Sequence, residues 1–167
     1  MKRFLLSALL VLGSSMVVAE EEVQATYERK AITPELAYIA AKAAMDSCRN
    51  SGFQTAVAVV DFTGTPVVLL RDRLAGFHTT EIAVGKARAA FSFRTNTTEL
   101  TEATKPDSPQ AAIRLTPGYS VIPGGVMIDA GGSMIAAIGV SGAPGGDLDE
   151  VCANDGIAAI QEILDFE

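Results

Sequence analysis

The sequence is poor in ring-bearing side chains, with no tryptophan, three tyrosines, seven phenylalanines and one histidine among 167 residues. So few aromatic residues argue against a stacking platform for single-stranded nucleic acid. A single histidine rules out a paired-histidine metal motif, and no nucleophile-elbow pattern surrounds Ser133 or Ser141. Basic residues are in deficit, 13 against 20 acidic ones, so neither nucleic acid nor an anionic membrane is an expected partner.

Long hydrophobic runs are absent except near the N-terminus. Lys2 and Arg3 precede an apolar run over Phe4–Leu12, and residues 17–19 offer small or β-branched side chains for a cleavage site. This pattern is typical of a secretory signal peptide, because the run is too short to span a bilayer as an ordinary helix. We expect cleavage after Ala19, a periplasmic or secreted protein, and no membrane span after cleavage; the alternative is an uncleaved N-terminal anchor.

Cysteine is scarce as well, with only Cys48 and Cys152 in the chain. Two cysteines are too few for a cysteine metal site, and their separation does not match that of a redox pair. In a chain bound for an oxidising compartment, a disulfide is the favoured interpretation.

A single domain over residues 33–167 is predicted, preceded by a charged and aperiodic stretch, residues 20–32, that is expected to be a flexible leader. Thr33 followed by Pro34 is typical of a helix start. A Gly-Gly pair between two apolar runs predicts a hairpin, because both turn positions require positive φ. The predicted elements are helix 33–50, strands 55–61 and 65–71, helix 79–93, strands 126–130 and 133–140, and helix 147–164.

The stretch between residues 95 and 119 is polar and broken by prolines. It is predicted to hold short helical turns around Glu99 and Ala111 and to frame a site. Strands in hairpins, with helices segregated at the ends, indicate an α+β fold with an antiparallel sheet. The last helix is expected to face the core through four apolar anchors: Val151, Ile157, Ile160 and Ile163.

His78 is the first candidate site residue, because it is the only histidine and lies on a loop just before a helix. A lone histidine can serve as one axial ligand of haem iron. The alternative is a polar surface residue at a helix start. No other feature of the residues indicates an enzyme site.

Three basic residues follow the second strand or lie on the next helix: Arg71, Arg73 and Lys86. They are candidates for binding carboxylate or propionate groups, since arginine offers a planar fork and lysine a point charge. Lys86 is expected to lie off the apolar stripe of its helix. The alternative for all three is a solvated strand end and helix face.

Several short motifs, in their order along the chain, resemble the GlcG/HbpS-like haem-binding family, which is related to the C-terminal domain of PduO-type corrinoid adenosyltransferases. The resemblance covers roughly residues 36–160, nearly all of the chain after the leader. The matching positions are Val59-Val60-Asp61, Gly64, Arg71, Ala75, Ala83, Lys86-Ala87, Pro123-Gly124-Gly125, Ile138-Gly139-Val140-Ser141-Gly142, Asp149-Glu150, Ala153 and Gly156.

The resemblance implies a profilin-like α/β/α sandwich with a five-stranded antiparallel sheet in the order 2-1-5-4-3 and helices on both faces. It also implies antiparallel packing of the first and last helices on one face, which would pair Cys48 with Cys152. Arg73 occupies a position where many members of the family have an acidic residue. The following His78 is then the favoured ligand of haem iron, with Arg71, Arg73 and Lys86 as propionate partners.

In function, the resemblance implies an exported haem-binding protein that forms homo-oligomers. Its expected role is in haem handling, or in haem and redox sensing with a sensor or redox partner protein, without catalytic turnover of its own. One alternative is a regulatory module that binds a different small anionic ligand without haem. Another is an enzyme that acts on haem or on a small organic acid.

Overall fold

The computed structural model describes residues 23–166. The predicted signal peptide, residues 1–19, therefore lies outside the described residues. The predicted strands, and the first two predicted helices, are confirmed with ends that shift by no more than one residue. The elements are α1 Pro34–Asn50, β1 Ala56–Val60, β2 Pro66–Arg71, α2 His78–Phe93, α3 Thr97–Ala103, a 3-10 helix Ala111–Leu115, β3 Gly125–Ala130, β4 Ser133–Ser141, α4 Gly146–Ala158 and α5 Gln161–Leu164.

The sheet has four strands in the order β2-β1-β4-β3, and every neighbouring pair is antiparallel. The prediction of a five-stranded sheet is therefore wrong. The expected order was 2-1-5-4-3, and without strand 3 it becomes 2-1-5-4, which is the observed order β2-β1-β4-β3. A fifth strand would pair with the outer edge of β3, where two amides already have partners. Met127 donates to the Asn96 side chain at 3.1 Å, and Gly125 donates to Thr97 Oγ1 at 2.8 Å.

The central strands β1 and β4 are buried on both faces. On one face, Val57 and Val59 join the main hydrophobic core beneath α1 and α4. On the other, the residues beneath α2 are small, which lets the helix lie close to the sheet. A Cβ on Gly139 would lie only 2.1 Å from the Ala83 carbonyl oxygen, so this position accepts no side chain without moving α2.

A disulfide joins Cys48 of α1 to Cys152 of α4. The two helices lie side by side on the same face of the sheet, as the resemblance implied. Gly156 of α4 permits this approach, because a Cβ there would lie 2.6 Å from the Ala40 carbonyl oxygen. The expected pairing of Cys48 with Cys152 is confirmed.

The last predicted helix is divided into α4 and α5 by a turn at Ala159 and Ile160. Of its expected anchors, Ile160 is fully buried and Ile157 packs partly against the core. The prediction that Val151 and Ile163 face the core is wrong, since their side chains are 55% and 49% exposed. The helix α4 contacts α1 through small residues instead, among them Ala153 and Gly156. Its buried face could therefore not be predicted from its large apolar residues.

The polar stretch 95–119 contains α3 and the 3-10 helix, which confirms the predicted turns around Glu99 and Ala111.

Ile32, at the end of the leader, is buried and donates its amide to the Ile135 carbonyl. Among residues 23–166, no helix is both long and apolar enough to cross a membrane.

Asp72, directly after β2, is buried beneath the end of α1. Its carboxylate accepts hydrogen bonds from Arg49 Nε at 2.6 Å and Nη2 at 3.0 Å, and from the Arg73 amide at 2.8 Å. The hydrogen bonds from the Arg49 guanidinium hold the pKa of Asp72 below its ordinary value of 3.8. Asp72 therefore ties the end of β2 to α1.

Because the folded pKa of Asp72 is depressed, its contribution to stability is present above the unfolded pKa and is lost as pH falls through the folded value. We expect Asp72→Asn to lower the melting temperature most above about pH 5, with the difference from wild type shrinking towards about pH 2. Thermal melts across this range test the prediction. Asp107→Asn, at an exposed loop position, is the control and should track wild type; a pH-independent difference for Asp72→Asn would contradict the assignment.

Candidate functional site

A cleft of about 520 Å³ lies between the start of α2 and the start of α4. We call it the α2–α4 cleft. Its lining comes from residues between 74 and 86, from the loop 141–146 and from residues 52–54, with Ile122 and Asp149. This volume is within the range of about 300–1,000 Å³ that is usual for small-molecule sites. Its apolar lining consists of Phe53, Leu74, Ile82, Ile122, Ala143 and Pro144.

His78 lies at the mouth of this cleft as the first residue of α2, with its side chain exposed. Gly76 makes room for the imidazole, since a Cβ on Gly76 would lie 2.5 Å from His78 Cε1. The Phe77 ring meets the imidazole edge-on, with 6.1 Å between the ring centres. The Thr79 hydroxyl donates to the Gly76 carbonyl at 2.6 Å and fixes the backbone turn before the helix.

Lys86 and Asp149 form a buried ion pair at the floor of the cleft. The Lys86 ammonium donates to Asp149 Oδ2 at 2.7 Å and to the Val140 carbonyl at 2.8 Å. Burial lowers the pKa of the Lys86 amine and raises the pKa of the Asp149 carboxyl, and the attraction between the two charges opposes both shifts. These bonds engage two of the three ammonium protons.

The glycine-rich loop before α4 is fastened to the same ion pair. Asp149 Oδ1 accepts the amide of Ala143 at 2.9 Å, so this carboxylate holds both Lys86 and the loop. Gly124 packs against the pair, because a Cβ there would lie 2.9 Å from Lys86 Nζ. The floor is therefore a rigid, fully packed unit rather than a mobile basic side chain.

Gln54 also lines the cleft. Its amide oxygen is buried and has no hydrogen-bond partner among residues 23–166. A buried polar atom without a partner is costly, so this position favours a ligand or a water that supplies the missing bond. The cleft thus combines apolar walls with a few polar groups that converge on its interior.

The rim of the cleft exposes several large apolar side chains. Leu74, which lines the cleft, is 78% exposed, and Phe77, the neighbour of His78 outside the lining, is 83% exposed. Ile122, on the opposite rim, is 47% exposed. Exposed apolar residues gathered around one cleft are typical of a binding site, whereas scattered ones need no explanation.

The structure brings together two of the four predicted cofactor-binding residues. His78 and Lys86 both line the cleft, one at its mouth and one at its floor. Arg71 and Arg73 are exposed on either side of the buried Asp72 and do not line it. The role of these four residues towards a cofactor stays a prediction.

The expectation that Lys86 lies off the apolar stripe of α2 is wrong, because its side chain is only 1% exposed. Positions 83, 86, 87 and 90 follow the spacing of one helix face, so the pattern already contained this signal. Asp149 was missed as a site residue, although it is among the positions that match the family. Only the fold shows that a residue 63 positions further along the chain meets Lys86.

The four-stranded sheet, the helices on both of its faces and the cleft with one histidine at its mouth define a small mixed α/β domain. The comparisons with known proteins identify its family. The chain belongs to the family described as haem degrading protein HbpS-like, whose model matches residues 32–158. No curated protein matches the chain.

Solved structures agree with this assignment. A double mutant of HbpS from Streptomyces reticuli is 35% identical, with a TM-score of 0.76 over 85% of this chain and 98% of that one. A PduO C-terminal domain solved as a haem complex is 26% identical, with a TM-score of 0.72 over 78% of this chain and 95% of that one. The protein ORFY of Klebsiella pneumoniae, 23% identical, has the same fold, with a TM-score of 0.80 over 84% of this chain and 98% of that one.

Proposed function

We propose that this protein binds haem in the α2–α4 cleft, with His78 as the ligand of the iron. The observation that carries the proposal is the position of the only histidine, exposed at the mouth of a cleft whose apolar lining includes the largely uncovered Leu74. A flat apolar macrocycle is the kind of ligand that would cover such a lining. The haem complex of the related PduO domain supports the same class of ligand.

The residues present fit the group. The imidazole of His78 supplies a nitrogen donor for iron, and the lining from Leu74 to Ile122 supplies apolar contact. The third ammonium proton of Lys86 is proposed to bind a propionate, and the unpartnered amide oxygen of Gln54 can accept a hydrogen bond from a water or a protonated group of the ligand. Arg71 and Arg73 shortly precede Leu74, a residue of the lining, and are proposed to bind propionates at the outside of the cleft. When bound, haem iron supplies redox and gas-ligand chemistry.

We further propose that the protein is exported and homo-oligomeric, and that it works in haem handling or in redox sensing with a partner protein. The signal-like N-terminus supports export. The disulfide supports an oxidising compartment, where such bonds persist. Mass spectrometry of the protein isolated from the cell envelope tests the export, and a mature N-terminus at Glu20 is the expected result.

Leu74→Ser is expected to weaken haem binding by about tenfold or more, because the exposed Leu74 side chain would be covered by bound haem and burial of a leucine contributes about 1.5–3 kcal/mol. The measurement is an absorbance titration of the purified protein with haemin. Leu115→Ser is the matched control, since Leu115 is 82% exposed on the 3-10 helix, outside the residues that line the cleft. Equal affinities for the two variants would place haem elsewhere, and a wild type that does not bind haemin would refute haem binding altogether.

The family description favours a second candidate function, the degradation of haem. Buried Lys86 and Asp149 at the floor of the cleft are the groups that could move a proton there. The assay incubates the haem complex with ascorbate in air and follows the tetrapyrrole by chromatography. A ring-opened product formed over many turnovers would favour the enzyme, and intact haem would favour a binding protein. If the protein is instead a module that binds another small anion, haemin titration should cause no change in the Soret band.

A further inference from the structure

A second hollow lies beside the β1–β2 turn. It has a volume of about 230 Å³ and is formed by this turn, the second half of α2 and residues 117–119. Four ring-bearing residues line it: Phe62, Phe91, Pro117 and Tyr119. We call it the aromatic hollow. It is smaller than the usual range of about 300–1,000 Å³ for drug-sized ligands, so it suits a molecule with one ring and excludes a macrocycle.

Arg88 enters this hollow from α2 and is held at one of its nitrogens. Its Nε donates to the Gly64 carbonyl at 2.8 Å. The side chain runs between two glycines, since a Cβ on Gly64 would lie 3.5 Å from Arg88 Cγ and a Cβ on Gly118 would lie 3.6 Å from Nη1. The guanidinium is therefore already oriented by the protein, while the N–H groups of its two terminal nitrogens are available to donate to a ligand.

The charge of this guanidinium is not balanced by an ion pair among the described residues. Within residues 23–166, no carboxylate forms an ion pair with Arg88, although acidic residues outnumber basic ones by 20 to 13 in the sequence. Glu81 lines a neighbouring surface hollow with Arg88 but makes no ion pair with it. A half-buried, oriented arginine without a carboxylate partner is suited to bind an anion through its planar fork.

A second cation adds to the positive potential at this site. The guanidinium carbon of Arg29 lies 5.0 Å from the centre of the Phe62 ring and 5.3 Å from the centre of the Phe91 ring. Both rings also line the aromatic hollow. The hollow therefore offers apolar walls and one lining cation, Arg88. The carboxylate of Asp61 lies at the same turn, where it accepts hydrogen bonds from the amide and hydroxyl of Thr63, but Asp61 is not part of the lining.

We propose that the aromatic hollow binds a small carboxylic acid that carries one ring or a similar apolar body. The carboxylate accepts hydrogen bonds from the terminal nitrogens of Arg88, and the body lies among Phe62, Phe91 and Tyr119. This site is distinct from the α2–α4 cleft. Arg88 is ten residues beyond His78 on the same helix, which is about 15 Å along the helix axis.

The test is a calorimetric or NMR titration of the purified protein with benzoate. We expect a weak complex, with a Kd on the order of 1 mM for so small a ligand. Benzamide has the same ring without the charge and should bind at least about tenfold more weakly. Arg88→Gln should weaken benzoate binding by about tenfold or more, because a charge-assisted pair is lost. Arg94→Gln, at the exposed end of α2, should bind benzoate as wild type does.

Haemin titration of the same variants shows whether they are folded, since Arg88 lies outside the α2–α4 cleft. Arg88→Lys is the second variant, because it keeps the charge but lacks the fork, and we expect it to weaken benzoate binding less than Arg88→Gln does. Benzoate that binds equally to wild type and to either folded Arg88 variant would overturn the proposal. So would equal binding of benzoate and benzamide, or a wild type that does not bind benzoate.

Discussion

Replacing Cys48 and Cys152 together by alanine is expected to lower the free energy of unfolding by about 4–5 kcal/mol. The disulfide joins residues 104 positions apart, so it removes a large part of the conformational freedom of the unfolded chain. Both cysteines are buried between α1 and α4, and alanine leaves the small-residue contact of the two helices in place. The loss should therefore appear in stability more than in structure.

Chemical denaturation of the oxidised wild type and of the double variant measures this difference. Dithiothreitol provides an internal control, because it should shift the unfolding midpoint of the wild type towards that of the variant and leave the variant unchanged. Equal midpoints for the oxidised wild type and the double variant would contradict a stabilising bond. A shift of the variant by dithiothreitol would show that the reagent acts elsewhere.

Lys86→Met is expected to cost about 3–5 kcal/mol of stability at neutral pH, because it leaves the Asp149 carboxylate buried without its cation. The two side chains are only 1% and 5% exposed, so water solvates a lone charge at this position poorly. Asp149→Asn should cost a comparable amount by leaving the Lys86 ammonium unpaired. The double variant removes both charges, and the asparagine oxygen can still accept the Ala143 amide. Its loss should therefore be clearly smaller than the sum of the single losses.

The stability of Lys86→Met should also depend on pH in a defined direction. Burial raises the pKa of the Asp149 carboxyl above its ordinary value of 3.8, and removal of Lys86 takes away the charge that opposes this rise. The folded variant then binds a proton more tightly than the unfolded chain does, so its stability increases as pH falls from 7. The difference from wild type should narrow accordingly in urea melts. Additive single losses, or a difference that is constant with pH, would contradict the ion pair.

Local patterns predicted most of the secondary structure because they act over short distances. Gly131 and Gly132 both have positive φ, 53° and 75°, so the hairpin followed directly from two adjacent glycines. Thr33 accepts the Leu36 amide through its hydroxyl, and Pro34 begins α1 as the capping signal indicated. These features depend on residues that are neighbours in the sequence.

Features that depend on distant contacts were harder to predict. The missing fifth strand reflects hydrogen bonds from β3 to Asn96 and Thr97, which lie about thirty residues earlier. The buried pair of Lys86 and Asp149 needs α2 and α4 to meet across the end of β4, and periodicity along one helix shows only that position 86 faces inward. The cleft is likewise assembled from four separate segments, so its walls become visible only in the folded chain.

The ligation of haem by His78 is tested most directly by the absorbance spectrum of the haemin complex. His78 is the only histidine, so His78→Ala in an untagged protein removes every imidazole from the chain. Glu81→Ala, one turn further along α2 and also exposed, is the control. We predict a shifted Soret band for wild type and Glu81→Ala, its loss in His78→Ala, and its recovery on addition of free imidazole. The same Soret position and affinity in His78→Ala and wild type would contradict the proposed ligand.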